Sequence, residues 1–594
     1  MSEISKWLMR KNIRVMFGAA AILTALVSFY LYHLCHRIFA LGFPISILIF
    51  ILGLYLHHKL GRIAFINELR SQWGKPLKTE RHPERIKNSY KSLNLKIEGS
   101  SEIDDLTWND LLMDDIYRLM DRCHSSCGQV MLYGILRQPI INESVWETRR
   151  KSIHAIQSNR DFREKLQLIL HKLGKQNKEQ VERLLTEELP EPPKFWLLLE
   201  IVPYISLISF AASLLLYTLG KPELFAVPLI LVSAISIINA AIRNKLRKGI
   251  TSHFPSIGYL SSIINAARSI STLSADDLND QLKRLSEAYE SCRTINNKTF
   301  ALNLENVDPF GLYTYINVLF LIDIRMFFRV VKDINACRNE LIALYSLIGE
   351  LDALISIASF RDGYPSAVEP VLHNQARELE LDNMIHPLIE NPVPNSISLK
   401  GKGALITGSN MSGKSTFLRT TAVNVILAQT TCITFTSGYR GSFYRVCTSI
   451  SQSDNMLGGK SYYLAEAETL LKMLNGIQPD IPTLCVIDEI FRGTNSRERI
   501  AAASQYLKYI AGLNALTMAA THDIELTDIV KDKFDIYYFA EDVSKEGLVF
   551  DYRLRHGVSP TRNAIKILDY LGYPEEIVSN SNAMIAGEEF ISSH

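Results

Sequence analysis

Long apolar runs divide this chain into segments, and polar sequence with helical periodicity lies between them. Four runs are long enough to span a membrane, and they form two pairs: residues 15–35 with 38–56, and residues 196–219 with 224–242. An α-helix of about 21 residues extends roughly 31 Å, which matches a hydrocarbon core of about 30 Å. Because only a few residues separate the members of each pair, each pair is predicted to form a transmembrane helical hairpin.

Each predicted hairpin has an alternative explanation. The first pair would also suit a signal peptide followed by a core helix, although no small-residue cleavage site is evident and a second apolar run follows immediately. The second pair would also suit a buried helical hairpin of a soluble domain. Pro203 and Pro228 would kink either version, and spanning helices tolerate such kinks.

Basic residues lie mostly outside the hairpins rather than in their turns. By the positive-inside rule, both chain ends and the sequence between the hairpins are predicted to be cytoplasmic, in a multi-pass membrane protein with four spans. The flanking residues are Lys6, Arg10, Lys11 and Arg14 before the first run, Lys59 and Arg62 after the second, and Arg243, Lys245, Arg247 and Lys248 after the fourth.

The remaining sequence predicts a helical part and an α/β part. Helical apolar periodicity indicates an all-α domain in two pieces. From Asn383 onward, short apolar strands alternate with helices, which indicates a mostly parallel sheet. The predicted domains are a hairpin at 1–62, helices at 63–194, a hairpin at 195–243, helices at 244–382 and an α/β domain at 383–594.

One apolar stretch of the helical part, residues 310–331, contains Asp323 and Arg325. Two charges near the middle of a membrane span are costly, so a buried core helix is favoured here over a fifth span. Whether this stretch touches the membrane stays open at the level of sequence.

Composition adds two constraints. The net charge of +2 gives the chain no overall basic character that would indicate nucleic-acid binding, although a local basic patch remains possible. The eight cysteines are scattered without paired C-x-x-C units, which favours buried, reduced thiols over a metal site.

The strongest chemical signal is the phosphate-loop pattern G-x-x-x-x-G-K-[ST] at residues 408–415, between a strand-like and a helix-like segment. Its glycines let backbone N–H groups point at phosphate oxygens, while Lys414 would reach the terminal phosphates and Ser415 would bind Mg²⁺. The predicted nucleotide-binding residues are Gly408, Ser409, Asn410, Met411, Ser412, Gly413, Lys414, Ser415 and Thr416.

Two further apolar strands end in residues suited to hydrolysis. The strand at 483–487 leads into Asp488, which would hold Mg²⁺, and Glu489, which would orient or deprotonate the attacking water. The strand at 516–520 leads to His522, which at that position can sense the γ-phosphate. The predicted catalytic residues are Glu489, His522 and Lys414, and the predicted magnesium ligands are Ser415 and Asp488.

A second anion-binding arrangement, Gly458-Gly459 before Ser461, opens the helix that follows. In a single subunit it would be redundant. Across a dimer, Ser461 would close the γ-phosphate of the partner subunit, as in ABC-type ATPases.

Together these motifs resemble the ATPase domain of the MutS mismatch-repair family. Asn410-Met411 inside the phosphate loop and Arg492-Gly493-Thr494 after the acids are the specific parts. Residues 557–574, 108–139 and 351–358 also look like parts of that family, the last two from its helical core and lever. The resemblance implies an ABC-type P-loop NTPase fold, hydrolysis of ATP with Mg²⁺, and a homodimer with composite sites.

The chain also departs from that family. Only the first hairpin precedes the lever-like region, so we expect no counterpart of the mismatch-reading and connector domains, and the second hairpin takes the place of the DNA clamp. Phe491 replaces a glycine and Tyr462 a threonine, which bears on interdomain signalling. Pro392 lies near where an aromatic residue would stack on adenine, so the mode of base binding stays open.

Three functions follow as hypotheses. The first is a membrane-anchored MutS-like ATPase in which ATP-driven dimer closure moves the levers and the second hairpin. The second is a membrane-tethered DNA-binding protein of the repair or recombination type. The third is an ABC-like transport ATPase. Against it, the spans hold almost no ionisable residues besides His33 and Glu200, whereas a pathway for a polar substrate needs such groups. A protein partner cannot be named from the sequence.

Overall fold

The structure is a computed structural model that describes residues 3–586 except for 35–40, 77–81, 177, 179, 304–311, 375–376, 410–411, 451–461, 493, 545–546, 559–567 and 569–570. The chain forms two compact units, residues 1–77 and residues 78–594. Each unit is described by itself.

The first unit is a pair of long helices, α1 (Glu3–Leu34) and α2 (Gly42–Gln72), packed against each other. Gly53 allows their close approach, because a Cβ atom there would lie 2.4 Å from Cβ of Phe17. Most of the large apolar side chains along both helices are exposed. The predicted boundary at residue 62 falls inside α2, because the helix continues without a break after its apolar part ends.

The helical part of the second unit surrounds one long buried helix, Arg338–Gly363. By length and composition this helix could cross a membrane, as could Gly42–Gln72, Trp196–Thr218 and Ala226–Ser271, but 78% of its apolar window is buried in the protein. It is therefore a core helix. The helices are α3 Pro83–Leu93, α4 Asp105–Asp110, α5 Met113–Met120, α6 Ser126–Arg137, α7 Glu143–Ser158, α8 Arg160–Leu173, α9 Gln180–Thr186, α10 Trp196–Thr218, α11 Pro222–Ile250, α12 Phe254–Ser271, α13 Asn279–Asn303, α14 Leu312–Phe320, α15 Ile322–Ala336 and α16 Arg338–Gly363.

A buried carboxylate joins α16 to the start of α6. Asp352 accepts hydrogen bonds from the backbone N–H groups of His124 (3.0 Å) and Ser125 (2.7 Å) and from the Ser125 hydroxyl (2.6 Å). Burial raises the pKa of Asp352 from its ordinary 3.8 to about 6, against the lowering effect of those hydrogen bonds. Because the folded state binds this proton more tightly, the contribution of Asp352 to stability falls as the pH rises from about 4 to about 6.

We expect Gly128→Ala to destabilise the protein, because the added Cβ would lie 2.1 Å from Oδ2 of Asp352. Overpacking of this kind costs about 1–3 kcal/mol, to be measured as a lowered midpoint of thermal unfolding. Gly476→Ala, at the end of a helix with open space around the new Cβ, is the matched control and should be neutral or stabilising. Equal midpoints for the two variants would contradict the close packing at Asp352.

Of the stretch 310–331, residues 310 and 311 lie outside the described residues, and 312–331 do not form one helix. Leu321, at φ 49°, separates α14 from α15, and the left-handed conformation of a leucine is not signalled by sequence. The prediction of a buried core helix suits α15, where Asp323, Phe327 and Val330 are buried. It does not suit α14, where Tyr315 and Ile316 are exposed.

The C-terminal part contains two sheets. One is four-stranded in the order β1-β5-β2-β3, and the other is six-stranded in the order β10-β9-β4-β8-β7-β6 and parallel apart from β10. The strands are β1 Val371–His373, β2 Glu378–Met384, β3 Asn395–Lys400, β4 Gly403–Thr407, β5 Gly438–Ser442, β6 Arg445–Ser449, β7 Thr483–Asp488, β8 Ala515–Thr521, β9 Phe534–Ser544 and β10 Gly547–His556. The helices are α17 Lys414–Thr431, α18 Tyr462–Gly476, α19 Ser496–Ala511, α20 Glu525–Val530 and α21 Glu575–Ala586.

The predicted start of the α/β part at residue 383 lies within β2, so β1 and most of β2 precede it. β1 has only three residues and pairs in parallel with β5, while β2 lies between β5 and β3 and is antiparallel to both. Their partners, not their own composition, fix them as strands.

Hydrogen bonds fix the helical part to α17. Ile140 and Gln429 are joined twice, from Ile140 N–H to the Gln429 carbonyl (3.3 Å) and from Gln429 Nε2 to the Ile140 carbonyl (3.0 Å). The indole of Trp146 donates to the Ala428 carbonyl at 2.9 Å. These bonds join α17 to α7 and to the segment between α6 and α7.

Candidate functional site

The loop between β4 and α17 has a glycine near each of its ends. Gly408 (φ 141°) and Gly413 (φ 103°) both adopt conformations that favour glycine, and Gly413 is the N-cap of α17. The first turn of α17 therefore directs its N–H groups and the positive end of its dipole toward the loop. Asn410 and Met411, predicted to belong to this site, lie outside the described residues.

Lys414 is buried in this loop, with its ammonium group donating to the carbonyls of Gly408 and, at 2.8 Å, Ser409. The Ser412 hydroxyl donates to the same Ser409 carbonyl at 2.7 Å. A fully buried lysine is rare unless it is paired. Here the carbonyls of the loop accept its hydrogen bonds, so the curvature of the loop sets its position. This arrangement presents one positive charge at the centre of the turn.

Ser415 and Asp488 bring two oxygens together at the end of β7. The Ser415 hydroxyl donates to Oδ2 of Asp488, while Oδ1 of that carboxylate is buried without a hydrogen-bond partner among the described residues. Mg²⁺ is typically held by one or two such protein oxygens together with phosphates and water. A buried carboxylate oxygen without a hydrogen-bond partner, next to a serine hydroxyl, suits Mg²⁺ as a ligand. Phosphate and water oxygens would supply the remaining ligands.

Glu489 lies next to this pair, almost fully buried, with φ of 58°. Its carboxylate contacts Arg492 on one side, and on the other its Oε1 is 3.6 Å from Nδ1 of His522. Burial raises the pKa of Glu489, but His522, Arg492 and Lys414 together outweigh it, so the pKa lies below its ordinary value. The carboxylate is therefore ionised at neutral pH and can accept a proton.

Phe491 also adopts a left-handed conformation, at φ 60°, in a position where a glycine would be free of strain. Its backbone N–H donates to the carboxylate of Glu466, and its ring packs against Tyr463 and Tyr506 with centroid distances of 5.9 and 6.2 Å. Burial raises the pKa of Glu466. The ring contacts and the hydrogen bond of the backbone N–H thus stabilise Phe491 in its strained left-handed conformation.

A cavity of about 410 Å³ opens beside the first turn of α17. Its walls come from the segment after β2, from α17 and from β9 and β10, and they include His386, Pro392, Phe539 and Tyr552. Burial, with Arg419 nearby, lowers the pKa of His386 to about 4, so this side chain is neutral at pH 7. A mostly apolar cavity that adjoins a phosphate loop suits a purine base.

Tyr552 is the residue of this site that sequence reasoning missed. It lies on β10 at φ 53°, half-exposed, with its ring 3.2 Å from the position of a Cβ on Gly413. Asn395 fixes its backbone by donating to the Tyr552 carbonyl (2.9 Å) and accepting from Leu554 N–H (2.7 Å). A non-glycine residue held at positive φ next to a phosphate loop was the signal, and it is visible only in the structure.

The structure thus brings together Gly408, Ser409, Ser412, Gly413, Lys414, Ser415 and Thr416 with Asp488, Glu489 and His522 at one edge of the six-stranded sheet. Ser461, predicted to act on the partner subunit's nucleotide, lies outside the described residues. Among the described residues, no group of three or more His, Cys, Asp or Glu side chains could hold a metal ion without other ligands. Any magnesium here would depend on the phosphates.

Comparison with known proteins locates the similarity in this region. The family model of MutS domain V matches residues 404–587. DNA mismatch repair protein MutS of Natronomonas pharaonis is 32% identical over 275 residues, which cover 44% of this chain and 31% of that protein. The MutS of Thermus aquaticus is 30% identical over 245 residues, 40% of this chain and 29% of its own length. DNA mismatch repair protein MutS 2 of Halobacterium salinarum is 27% identical over 275 residues, 44% of this chain and 31% of its own length.

The similarity therefore spans less than a third of the length of each of these relatives. It covers the phosphate loop, both acids, His522 and Tyr552, all of which fall within residues 404–587.

Proposed function

We propose that this chain, which belongs to the MutS family through its C-terminal domain, is a membrane-anchored ATPase that couples ATP hydrolysis to movement of its helical part. The observation that carries the proposal is the convergence of Lys414, Ser415, Asp488, Glu489 and His522 at one edge of the sheet. This set supplies a phosphate-binding cation, two magnesium ligands, a base and a γ-phosphate contact.

In the proposed reaction, the loop and Lys414 would hold the phosphates of ATP, and Ser415 and Asp488 would hold Mg²⁺. The ion would neutralise charge on the phosphates. Glu489 orients a water molecule and takes its proton as the oxygen bonds to the γ-phosphorus, and ADP leaves with the electron pair of the broken bond. His522, which contacts Glu489, reports whether the γ-phosphate is present.

A homodimer is part of the proposal. Ser461 of each chain would complete the site of the other, as the MutS resemblance implies, and ATP would favour the closed pair. Because α17 is hydrogen-bonded to Ile140 and Trp146, closure would displace α6 and α7 with it. Binding energy can move these helices only if ATP binds the closed state more tightly than the open one.

The membrane assignment is supported by the surfaces of the two hairpins. Large apolar side chains are exposed along α1, α2, α10 and α11, including Ile230 and Ile237. Exposed apolar surfaces of this extent are otherwise found at protein interfaces. With basic residues flanking both hairpins, the proposal places the ATPase domain and both termini in the cytoplasm.

The test is ATP turnover by the full chain in detergent or vesicles, with Mg²⁺, in the presence and absence of duplex, branched and mismatched DNA. Turnover that requires Mg²⁺ supports the proposal, and absence of any turnover by the folded protein overturns it. Stimulation by DNA, with an affinity that falls steeply with salt, would favour the alternative of a membrane-tethered DNA-binding protein. The names of the relatives favour that second candidate, since they are DNA mismatch repair proteins.

Tyr552→Ala is expected to weaken ATP binding by about 5- to 150-fold, since stacking of a base on an aromatic ring contributes about 1–3 kcal/mol. Titration with a fluorescent ATP analogue measures this. Tyr552→Phe keeps the ring and should bind like the unaltered protein. Equal affinities of the alanine and phenylalanine variants would rule out stacking on this residue.

A further inference from the structure

The short helix α14 carries exposed apolar side chains although it packs against both helices of the second hairpin. Tyr315 is 73% exposed and Ile316 is 45% exposed. The helix has nine residues, of which the polar residue Asn317 is buried. A single exposed apolar residue is ordinary on a soluble protein. Here two adjacent ones lie on a helix that abuts the apolar surfaces of α10 and α11.

The C-terminal end of α14 is satisfied by side chains of the protein. Asn239 of α11, almost fully buried, donates from Nδ2 to the Leu319 carbonyl at 3.0 Å. Arg325 lies 3.4 Å from the Phe320 carbonyl, and Oδ1 of Asn317 accepts from Asp323 N–H at 2.9 Å. The last carbonyls of a helix have no partners within it. Ends at membrane depth are tolerated where protein groups satisfy them, as here.

Charged pairs mark where α15 begins and the apolar surface ends. Asp323 pairs with Arg243, two turns before the end of α11 (2.9 Å), and Arg325 pairs with Glu200 near the start of α10 (2.8 Å). Trp196, at the first turn of α10, packs on Phe328 of α15. Charges and a tryptophan at the ends of apolar helices are typical of the boundary between membrane and cytoplasm. α15 starts at this boundary, and α14 precedes it.

We propose that α14 is a lipid-contacting helix that enters the hydrocarbon layer beside the second hairpin without crossing the membrane. This inference rests on the proposed membrane anchoring of that hairpin. Nine residues of helix extend about 13.5 Å, less than half of a hydrocarbon core of about 30 Å. Tyr315 and Ile316 contact acyl chains, and the side chains of Asn239 and Arg325 close the polar end of the helix.

The experiment uses the full chain in phospholipid vesicles with a nitroxide attached at Tyr315→Cys, and at Ile316→Cys as a second position. Collision with oxygen, which concentrates in lipid, is compared with collision with a water-soluble nickel complex. Ile230→Cys, on the hairpin at 67% exposure, is the lipid reference, and Tyr509→Cys, on α19 at 64% exposure, is the water reference. The parent protein treated in the same way provides the background from its own cysteines.

The expected result is a ratio of oxygen to nickel collisions at Tyr315 and Ile316 that is several-fold above Tyr509 and close to Ile230. Labels at Tyr315 and Ile316 that behave like Tyr509 while Ile230 remains in lipid would overturn the inference and leave the membrane anchor intact. A label at Ile230 that also behaves like Tyr509 would overturn the membrane anchor, and this inference with it.

Discussion

Glu489→Gln is expected to slow ATP turnover by about 10²–10⁴-fold, the usual contribution of a positioned base, while ATP binding is retained. The amide keeps the size of the side chain and still contacts Arg492 and His522, but it cannot take a proton from water. Single-turnover hydrolysis of radiolabelled ATP measures the loss, and equilibrium binding of ATP measures what remains. The variant should therefore hold two chains closed on ATP.

Lys414→Ala is the contrasting variant, because Lys414 supplies the positive charge at the centre of the phosphate loop. It should lose both ATP binding and ATP-dependent dimer closure. Unchanged turnover in Lys414→Ala would contradict the assignment of the site, and unchanged turnover in Glu489→Gln would remove Glu489 as the base.

The pH dependence follows from the pKa of Glu489. Because His522, Arg492 and Lys414 outweigh burial and lower this pKa, the carboxylate is already ionised in the neutral range. Turnover should therefore not rise through this group between about pH 6 and 8, and it should fall on acidification. A rise in turnover across the neutral range that disappears in Glu489→Gln would contradict the lowered pKa.

The positions of the candidate site residues could be predicted from sequence because each lies at the end of a strand or at the start of a helix. The strand-like and helix-like segments that the sequence predicts on either side of the loop agree with β4 and α17. The parallel register of β4, β8 and β7 then brings the ends of all three strands to one edge. Local pattern and strand direction suffice for such a site.

Tyr552 and the break at Leu321 could not be predicted in this way. Tyr552 reaches the phosphate loop only because β10 folds back on β9 with a register shift between Phe550 and Leu554. Leu321 has a positive φ in a turn where its N–H donates to the Asn317 carbonyl and its own carbonyl accepts from Arg325 N–H. Both features depend on contacts with other residues rather than on the residue itself.

The contacts that join the second hairpin to α15 were likewise invisible in sequence, although Glu200, Asp323 and Arg325 were singled out as charges in apolar surroundings. Each charge is paired across two elements: Glu200 with Arg325 and Arg329, and Asp323 with Arg243. Asp323 and Arg325, the charges that disfavour a fifth span, therefore form the ion pairs that join the second hairpin to α15.

Arg243→Ala is expected to destabilise this junction by about 3–5 kcal/mol, because it leaves a buried charge without its partner. The side chain of Arg243 is 7% exposed and that of Asp323 is 3% exposed, with 2.9 Å between Nε and Oδ2. The midpoint of thermal unfolding in detergent micelles should fall by about 3–5 °C, since a unit of this size loses roughly 1 °C per kcal/mol. ATP binding at low temperature should persist, since the phosphate site does not include this pair.

Lys245→Ala is the matched control, because Lys245 carries the same charge two residues away on α11 and is exposed. It should unfold like the parent protein. The double variant Arg243→Met with Asp323→Leu removes both charges and should recover much of the lost stability, as replacement of buried pairs by apolar residues often does. If Arg243→Ala unfolds at the same temperature as Lys245→Ala, the ion pair does not fasten the hairpin, and ATP-driven movement would have to reach the membrane by another contact.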